Sequence, residues 1–289
     1  MTTASGPDRE QRLVEEHFHS AAAYWKDVYT QDTLNGAMYR QRRAAVLSFV
    51  DRLSLPSSAR VLEAGCGAGT TSVALAKRGL QVEALDAIAE MVLLTEQAAR
   101  ADGVATLLTV RQGDVNDMPF PGNWFDLAVA IGVLEWMPSL ERTLKELHRV
   151  LRPGGWLIAN VDNSRALHCL IDPRMNPLMS GAKRYMRRLS ERAEWAEPVA
   201  RPSRCSRTKF DDALRAAGFH KAADCTSGFG PMTMFGIALI PDKLGVHLHC
   251  ALQRMSERQI PLIRAGGETY LVLAQKIEPN TTGSREIVL

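Results

Sequence analysis

The sequence predicts an α/β protein built on a doubly wound, mostly parallel sheet. Three observations carry that expectation. Between residues 60 and 162, short apolar runs alternate with segments of helical periodicity. Several runs, 127–134 among them, are apolar without alternating, as strands covered on both faces are. The helical segments between runs are long enough to be crossovers, which parallel strands require.

In chain order, two helical blocks come first: 14–29, with Phe18, Tyr24, Trp25 and Tyr29, and 37–53, with Met38, Val46, Leu47, Val50 and Leu53 on one face. Pro56-Ser57-Ser58 breaks the pattern. Strand 60–64, helix 70–78, strand 81–85 and helix 88–101 follow, then strands 106–112 and 125–131, helix 140–150 and strand 155–161. Beyond Asn163 the rhythm changes. Segment 164–209 holds Pro173, Pro177, Pro198 and Pro202 among many arginines and reads as an irregular or helical insertion after the fifth strand. A helix over 208–217 is stopped by Gly218, a strand lies near 221–226, and 228–241 is apolar but interrupted by glycine and proline. An amphipathic helix over 244–258 carries Leu244, Leu248, Ala251 and Met255, and 269–276 completes a seven-stranded sheet. Residues 1–10 and 279–289 read as loose tails around one domain, 11–276.

Composition bounds the function. The 289 residues are 46% apolar and 23% charged, enough for a full core without disulfides. Lys and Arg number 35 against 32 Asp and Glu, and a net charge of +3 is too mild for a dedicated nucleic-acid binder. No run approaches the roughly 18 apolar residues of a spanning helix, and residues 1–16 lack the apolar centre of a secretion signal. Five cysteines at irregular spacing argue against a disulfide framework. The expectation is a cytoplasmic enzyme.

The strongest motif is Val61-Leu62-Glu63-Ala64-Gly65-Cys66-Gly67-Ala68-Gly69-Thr70, at a strand-to-helix junction. Gly65 and Gly67 allow a tight turn and a close approach to a ligand, and the helix start beyond offers unpaired N–H groups. A dinucleotide fingerprint would place glycine at position 70, where this chain has Thr70, and no Gly-Lys-Ser/Thr follows to make a P-loop. Asp86 closes the second strand, where an acid can accept from a ribose diol. Gly113-Asp114-Val115 follows the third strand, and Asp114 can take the exocyclic amine of an adenine. Leu151-Arg152-Pro153-Gly154-Gly155 turns the chain into the fifth strand.

From Arg60 to Asp162 these motifs resemble the class I S-adenosylmethionine-dependent methyltransferases. The resemblance implies a Rossmann-like methyltransferase fold, with 60–162 as the cofactor core and a helical N-terminal cap. Segments 11–53 and 164–260 would then supply the lid and the acceptor pocket. It implies that Glu63, Gly65, Cys66 and Gly67 line the methionine half of S-adenosylmethionine, and that Asp86 holds the ribose. Ala87 and Met91 would border the adenine, Asp114 and Val115 would read its edge, and Ile131 with Gly132 would approach the sulfonium. Ile88 departs from a frequent serine, and Trp136 replaces the histidine of a common Leu-Glu-His, so no catalytic histidine carries over there.

Methyl transfer asks mainly for in-line positioning, worth up to roughly 7–11 kcal/mol, and a general base adds about 10²–10⁴-fold. Tyr24 and His168 are the named catalytic candidates; both Tyr24 and Trp25 also read as core aromatics, and His168 as an ordinary hydrogen-bonded residue. His17 and His19 are weaker candidates, His148 reads as a helix-face residue, and Glu135 is either structural or borders the acceptor. Cys66 reads as a small packing residue. His247, His249 and Cys250 do not suggest a metal, because 247 and 249 point different ways on a helix. Residues 181–209 carry nine Lys and Arg against three Glu: a solvated face, an acidic-substrate site or a contact with an anionic membrane. Met175, Met179, Met186, Met232 and Met234 suit a hydrophobic pocket and suit a core almost as well.

The reading is methyl transfer from S-adenosylmethionine to a small-molecule or lipid-like acceptor, with oxygen favoured on family frequency. The alternatives are an NAD(P)-dependent oxidoreductase and a non-catalytic S-adenosylmethionine-binding module that docks a partner or a membrane. Acceptor, base and oligomeric state are not legible.

Overall fold

The structure, a computed structural model, describes residues 14, 16, 18–56, 58–172, 175–176, 202–230, 233–234 and 237–277. His17, Met179, Met186, Met232, the basic run 181–201 and both terminal tails lie outside the described residues.

Five parallel strands form as the apolar runs require: β1 (Arg60–Ala64), β2 (Gln81–Asp86), β3 (Leu108–Gln112), β4 (Phe125–Ala130) and β5 (Leu151–Asn163). Beyond them come β6 (Arg204–Cys205), β7 (Phe219–Ser227) and β10 (Thr269–Lys276). The order is β3-β2-β1-β4-β5-β10-β7, with β10 antiparallel to both neighbours and β6 paired parallel to the end of β5. The sheet is therefore eight-stranded rather than seven. Its extra member, β6, is two residues long and gives no periodicity to read. A separate hairpin, β8 (Thr233–Met234) with β9 (Ile237–Ala238), lies within the interrupted apolar stretch.

Both faces are covered, and the period-2 alternation divides the core. Leu62, Ala64, Ala128 and Ala130 face one cluster with Leu144 and Leu147 of the helix Leu140–Val150. Val61, Leu127 and Val129 face the other, with Val46 and Val50 of the helix Leu34–Arg52. The N-terminal cap comprises α1 (Ala22–Asp27) and α2 (Leu34–Arg52), the latter started by Thr33, whose Oγ1 accepts from the Gly36 N–H at 3.2 Å. α3 (Thr70–Ala76), α4 (Ala89–Ala101) and α5 (Leu140–Val150) are the crossovers. α6 (Leu167–Ile171) and α7 (Arg207–Ala216) follow β5. α8 (Asp242–Glu257) and α9 (Pro261–Ala265) precede β10. The strand order reverses between β1 and β4, and such a switch point opens a crevice at the carboxyl ends of the strands.

α8 forms where the spacing predicts a helix, but its buried face is not the apolar one. Gly245, His249, Gln253 and Ser256 are buried, whereas Leu244, Leu248 and Met255 are exposed. Local bonds draw the polar side inward. His249 Nδ1 accepts from the Phe229 N–H at 3.1 Å, Gln253 Nε2 donates to the Thr226 carbonyl at 3.4 Å, and Gly245 leaves room for Leu34.

Candidate active site

A cavity of roughly 350 Å³ opens at the switch point. Its floor is the glycine turn. The Gly65 and Cys66 N–H groups both donate to the Leu85 carbonyl, at 2.7 and 3.0 Å, which ties β1's exit to β2. Gly65 has φ +73°, and a Cβ there would stand 2.2 Å from Val133 Cγ2; Gly67 has φ +52°. Asp86 is held on this turn, accepting from the Gly67 N–H (2.8 Å) with one oxygen and from the Ile88 N–H (3.0 Å) with the other. Burial raises its carboxyl while those amides pull it down. Glu63, 3% exposed, accepts from Ser72 Oγ, yet burial pushes its carboxyl up to about 8. The Cys66 thiol is buried against Thr95 Oγ1, and burial raises it well above its usual range, which favours the protonated form over the nucleophilic thiolate.

Glu63, Gly65, Cys66, Gly67, Asp86, Ala87, Met91, Val115, Ile131 and Gly132 all line the cavity. Asp114 does not. Its Oδ1 accepts from the N–H and Nδ2 of Asn116 (2.8 and 3.0 Å), and this local turn holds the exposed carboxylate outside the wall.

The opposite end of the cavity is built from distant segments. An aromatic series runs along its N-terminal wall: Trp136 on Phe18 (5.0 Å between centroids), Phe18 on Trp25 (5.6 Å), Trp25 on Tyr39 (5.5 Å). The Arg42 guanidinium lies 4.8 Å from the Tyr39 centroid and against Gly132, where a Cβ would be 3.5 Å from Nη2. Arg42 Nε and Trp25 Nε1 are buried donors without a hydrogen-bond partner among the described residues. Three acids face them: Glu135 in the 3₁₀ turn Leu134–Trp136, Asp162 at the end of β5, and Glu268 just before β10. Burial raises all three carboxyls, and the Asp162 charge raises the two glutamates further. Arg204, at the start of β6, stands 4.0 Å from Asp162 and 3.9 Å from Glu268, too far for hydrogen bonds. Glu135 Oε2 also lacks a partner among the described residues.

The structure does not bring the two named catalytic candidates to this cavity. Tyr24 is 38% exposed and its hydroxyl accepts from Asn35 Nδ2 at 3.3 Å, while its neighbour Trp25 faces inward. His168 is buried behind Glu268, with Nε2 3.8 Å from Oε1 and 3.4 Å from Cys169 Sγ. Burial and then Arg204 push its pKa down to about 4, so it is neutral at physiological pH. His19 pairs with Glu90 on the surface at 3.0 Å, and no cluster fit to hold a metal occurs among the described residues. Sequence reasoning missed Arg42, Arg204 and Glu268. Each is a lone charged residue whose partners are remote in sequence; the only signal was the charge of α2 and of the segment around 204.

Residues 62–159 match the family model described as "Methyltransferase domain". Over 117 residues the chain is 37% identical to malonyl-(acyl-carrier protein) O-methyltransferase of Enterobacter lignolyticus, covering 40% of this chain and 44% of that one. Over 127 residues it is 38% identical to demethylmenaquinone methyltransferase of Lactiplantibacillus plantarum, covering 42% and 52%. The chain thus spans about half the length of the curated relatives it matches. Geranyl diphosphate C-methyltransferase from Streptomyces coelicolor A3(2), solved with Mg2+, geranyl diphosphate and S-adenosyl-L-homocysteine, superposes with a TM-score of 0.55 at 17% identity. That match covers 84% of this chain and 81% of that one, a likeness of fold.

Proposed function

From the premise that residues 62–159 are a methyltransferase domain of the class I, S-adenosylmethionine-dependent type, we propose that this chain methylates a hydroxyl of a small or amphiphilic acceptor. The observation that carries the proposal is the single cavity joining the glycine turn and Asp86 to the buried group of Glu135, Asp162 and Glu268. S-adenosylmethionine, when bound, supplies a methyl group already activated on a sulfonium.

The chain's own residues do the rest. Asp86, with each oxygen already fixed by one backbone amide, keeps lone pairs for a ribose diol. Met91 and Val115, 2% and 5% exposed, give the adenine apolar walls. Asp114 holds the turn that presents Val115 through its Oδ1 bonds to Asn116. The buried, unpartnered donors Arg42 Nε and Trp25 Nε1 suit the carboxylate of the methionine half, because an unmet buried donor is costly. Glu135 is the base we assign. It stands three residues beyond Gly132, has one oxygen without a partner, and its raised pKa suits proton transfer near neutrality. As the acceptor oxygen gains the methyl, its proton passes to the Glu135 carboxylate.

The aromatic and methionine lining (Phe18, Trp25, Tyr39, Met38) favours an acceptor with an apolar body. Malonyl-(acyl-carrier protein) and demethylmenaquinone, named in two relatives, are acceptors of those proteins and neither is assigned to this chain. Calorimetry with S-adenosylmethionine, S-adenosylhomocysteine and NAD, with Asp86→Ala as control, tests the premise. Binding of both S-adenosyl compounds, lost in the variant, supports it and leads to acceptor screening by product mass. A folded sample that binds NAD and neither S-adenosyl compound is an oxidoreductase instead; one that binds them and methylates nothing is a binding module.

A further inference from the structure

α8 presents two faces of unequal logic. Its inward face is small and polar, while Leu244, Leu248, Ala251 and Met255 form a stripe on the outward side, roughly 120° away around the axis. Leu244 is 56% exposed, Leu248 38% and Met255 37%. Beyond its ends, Leu239 before the helix is 50% exposed and Leu262 after it is 84% exposed.

Charge is sorted along the same helix. Lys243, His247, Arg254 and Arg258 are all exposed and lie about 50–110° from the centre of the stripe, on one side of it. The helix's two acids are exposed but hydrogen-bonded to neighbouring groups. Asp242 Oδ1 accepts from the Leu34 N–H at 3.4 Å, and Glu257 Oε1 accepts from Gln41 Nε2 (3.1 Å) and Gln253 Nε2 (3.3 Å).

We propose that the outward face of α8 docks on an anionic lipid surface, with the leucine–methionine stripe in the acyl boundary and the basic ridge on the headgroups. An apolar stripe bordered by Lys and Arg is the pattern of a helix lying in the membrane interface. No helix among the described residues is long and apolar enough to cross a membrane, so contact on this face is peripheral. The location is apt for an amphiphilic ligand. His249 of α8 bonds to Phe229, next to Gly228 on the cavity wall, so the docked face lies one helix thickness from the cavity. The inference stands on α8 alone and does not need the methyl-transfer reading.

The test is co-sedimentation of the full chain with vesicles of phosphatidylcholine alone and of equal phosphatidylcholine and phosphatidylglycerol. The intact chain should pellet with the anionic vesicles, weakly with the neutral ones, and less as salt rises. The double variant Leu244→Glu/Leu248→Glu should lose about tenfold or more in partitioning, since it places charges where apolar surface must enter the boundary. Lys243→Glu/Arg254→Glu should lose a similar factor and most of the salt dependence. An intact chain that ignores anionic vesicles, or binding indifferent to both variants, overturns the proposal. So does a dimer in light scattering that Leu244→Glu/Leu248→Glu converts to monomer. S-adenosylhomocysteine calorimetry on the same samples separates the two ideas: unchanged binding shows each variant intact, and no binding even by the intact chain speaks against methyl transfer alone.

Discussion

The two ends of the cavity are made in opposite ways. At the glycine turn the ligand-facing groups are largely backbone, drawn from one ten-residue stretch and locked to β2 by the Leu85 carbonyl and Asp86. At the far end every functional group is a side chain, brought from α1, α2, the 3₁₀ turn, β5, β6 and the approach to β10. The first end has nearly all its polar groups satisfied. The second leaves Arg42 Nε, Trp25 Nε1 and Glu135 Oε2 unmet among the described residues and keeps Arg204 at ion-pair distance only. Unmet buried groups cost stability, and retaining several in one place is the mark of a site completed by its ligands. Arg42 Nε and Trp25 Nε1 suit the cofactor's carboxylate and Glu135 Oε2 the acceptor, so the side-chain end is completed by both ligands, whereas the satisfied backbone turn takes the cofactor alone.

The sharpest way to break this comparison is to replace Glu135 by Gln, which keeps the shape and removes the base. Turnover of an acceptor found by product mass should fall 10²–10⁴-fold, roughly 3–5 kcal/mol in the barrier, with S-adenosylmethionine affinity unchanged within about twofold. A carboxylate base acts ionised, so the intact enzyme's rate should rise with pH through the raised pKa and then level. The variant should lose that rise. Equal turnover in both would hand the proton to Asp162 or Glu268, and a parallel loss of cofactor affinity would mean that the Glu135 charge also holds Arg42 in place for the cofactor.

A complementary break is Gly65→Ala at the backbone end. The left-handed φ costs an alanine about 1–2 kcal/mol, and its Cβ would press on the buried Val133. The expected result is about 3 kcal/mol of lost stability in denaturant unfolding, together with loss of S-adenosylhomocysteine binding in calorimetry. Retained binding at full stability would show that the turn has slack that its geometry denies.

The same asymmetry governs what could be read from the chain. The turn was legible because its residues are contiguous and each type has one physical reason to be there. The five parallel strands were legible because β1 and β4 are short, apolar and buried on both faces. β6 was not, since two residues have no period. Nor was the true buried face of α8: periodicity identifies the apolar side, but His249, Gln253 and Gly245 are drawn in by particular partners that periodicity does not see. Arg42, Arg204 and Glu268 were hidden for a related reason, because a buried charge is defined by neighbours that only folding supplies. Asp114 shows the reverse: the motif is present, and what the sequence does not show is that Oδ1 bonds Asn116 and that the side chain is exposed beside the cavity rather than lining it.

The smallest effect concerns Glu63, the titratable exception at the satisfied end. Its carboxyl is buried and raised to about 8, whereas in the unfolded chain it ionises near 4.5. Between those values the folded state holds a proton that the unfolded state has released, so stability falls as pH rises through the window. Glu63→Gln imitates the protonated form and keeps a group able to bond Ser72. Urea unfolding at about pH 5 should therefore give similar stabilities for the two proteins, and at about pH 9 the variant should be the more stable by on the order of 2 kcal/mol. The intact chain keeps a further slope of the same sign from Glu135, Asp162 and Glu268, whose carboxyls are also raised, and the variant keeps that remainder. Saturating S-adenosylhomocysteine sharpens the comparison. If Glu63 stays protonated beside the methionine half, ligand stabilises both proteins equally at every pH. If binding ionises it, the stabilisation of the intact chain alone grows as pH rises toward 8, and the glycine end is then completed by its ligand just as the acidic end is.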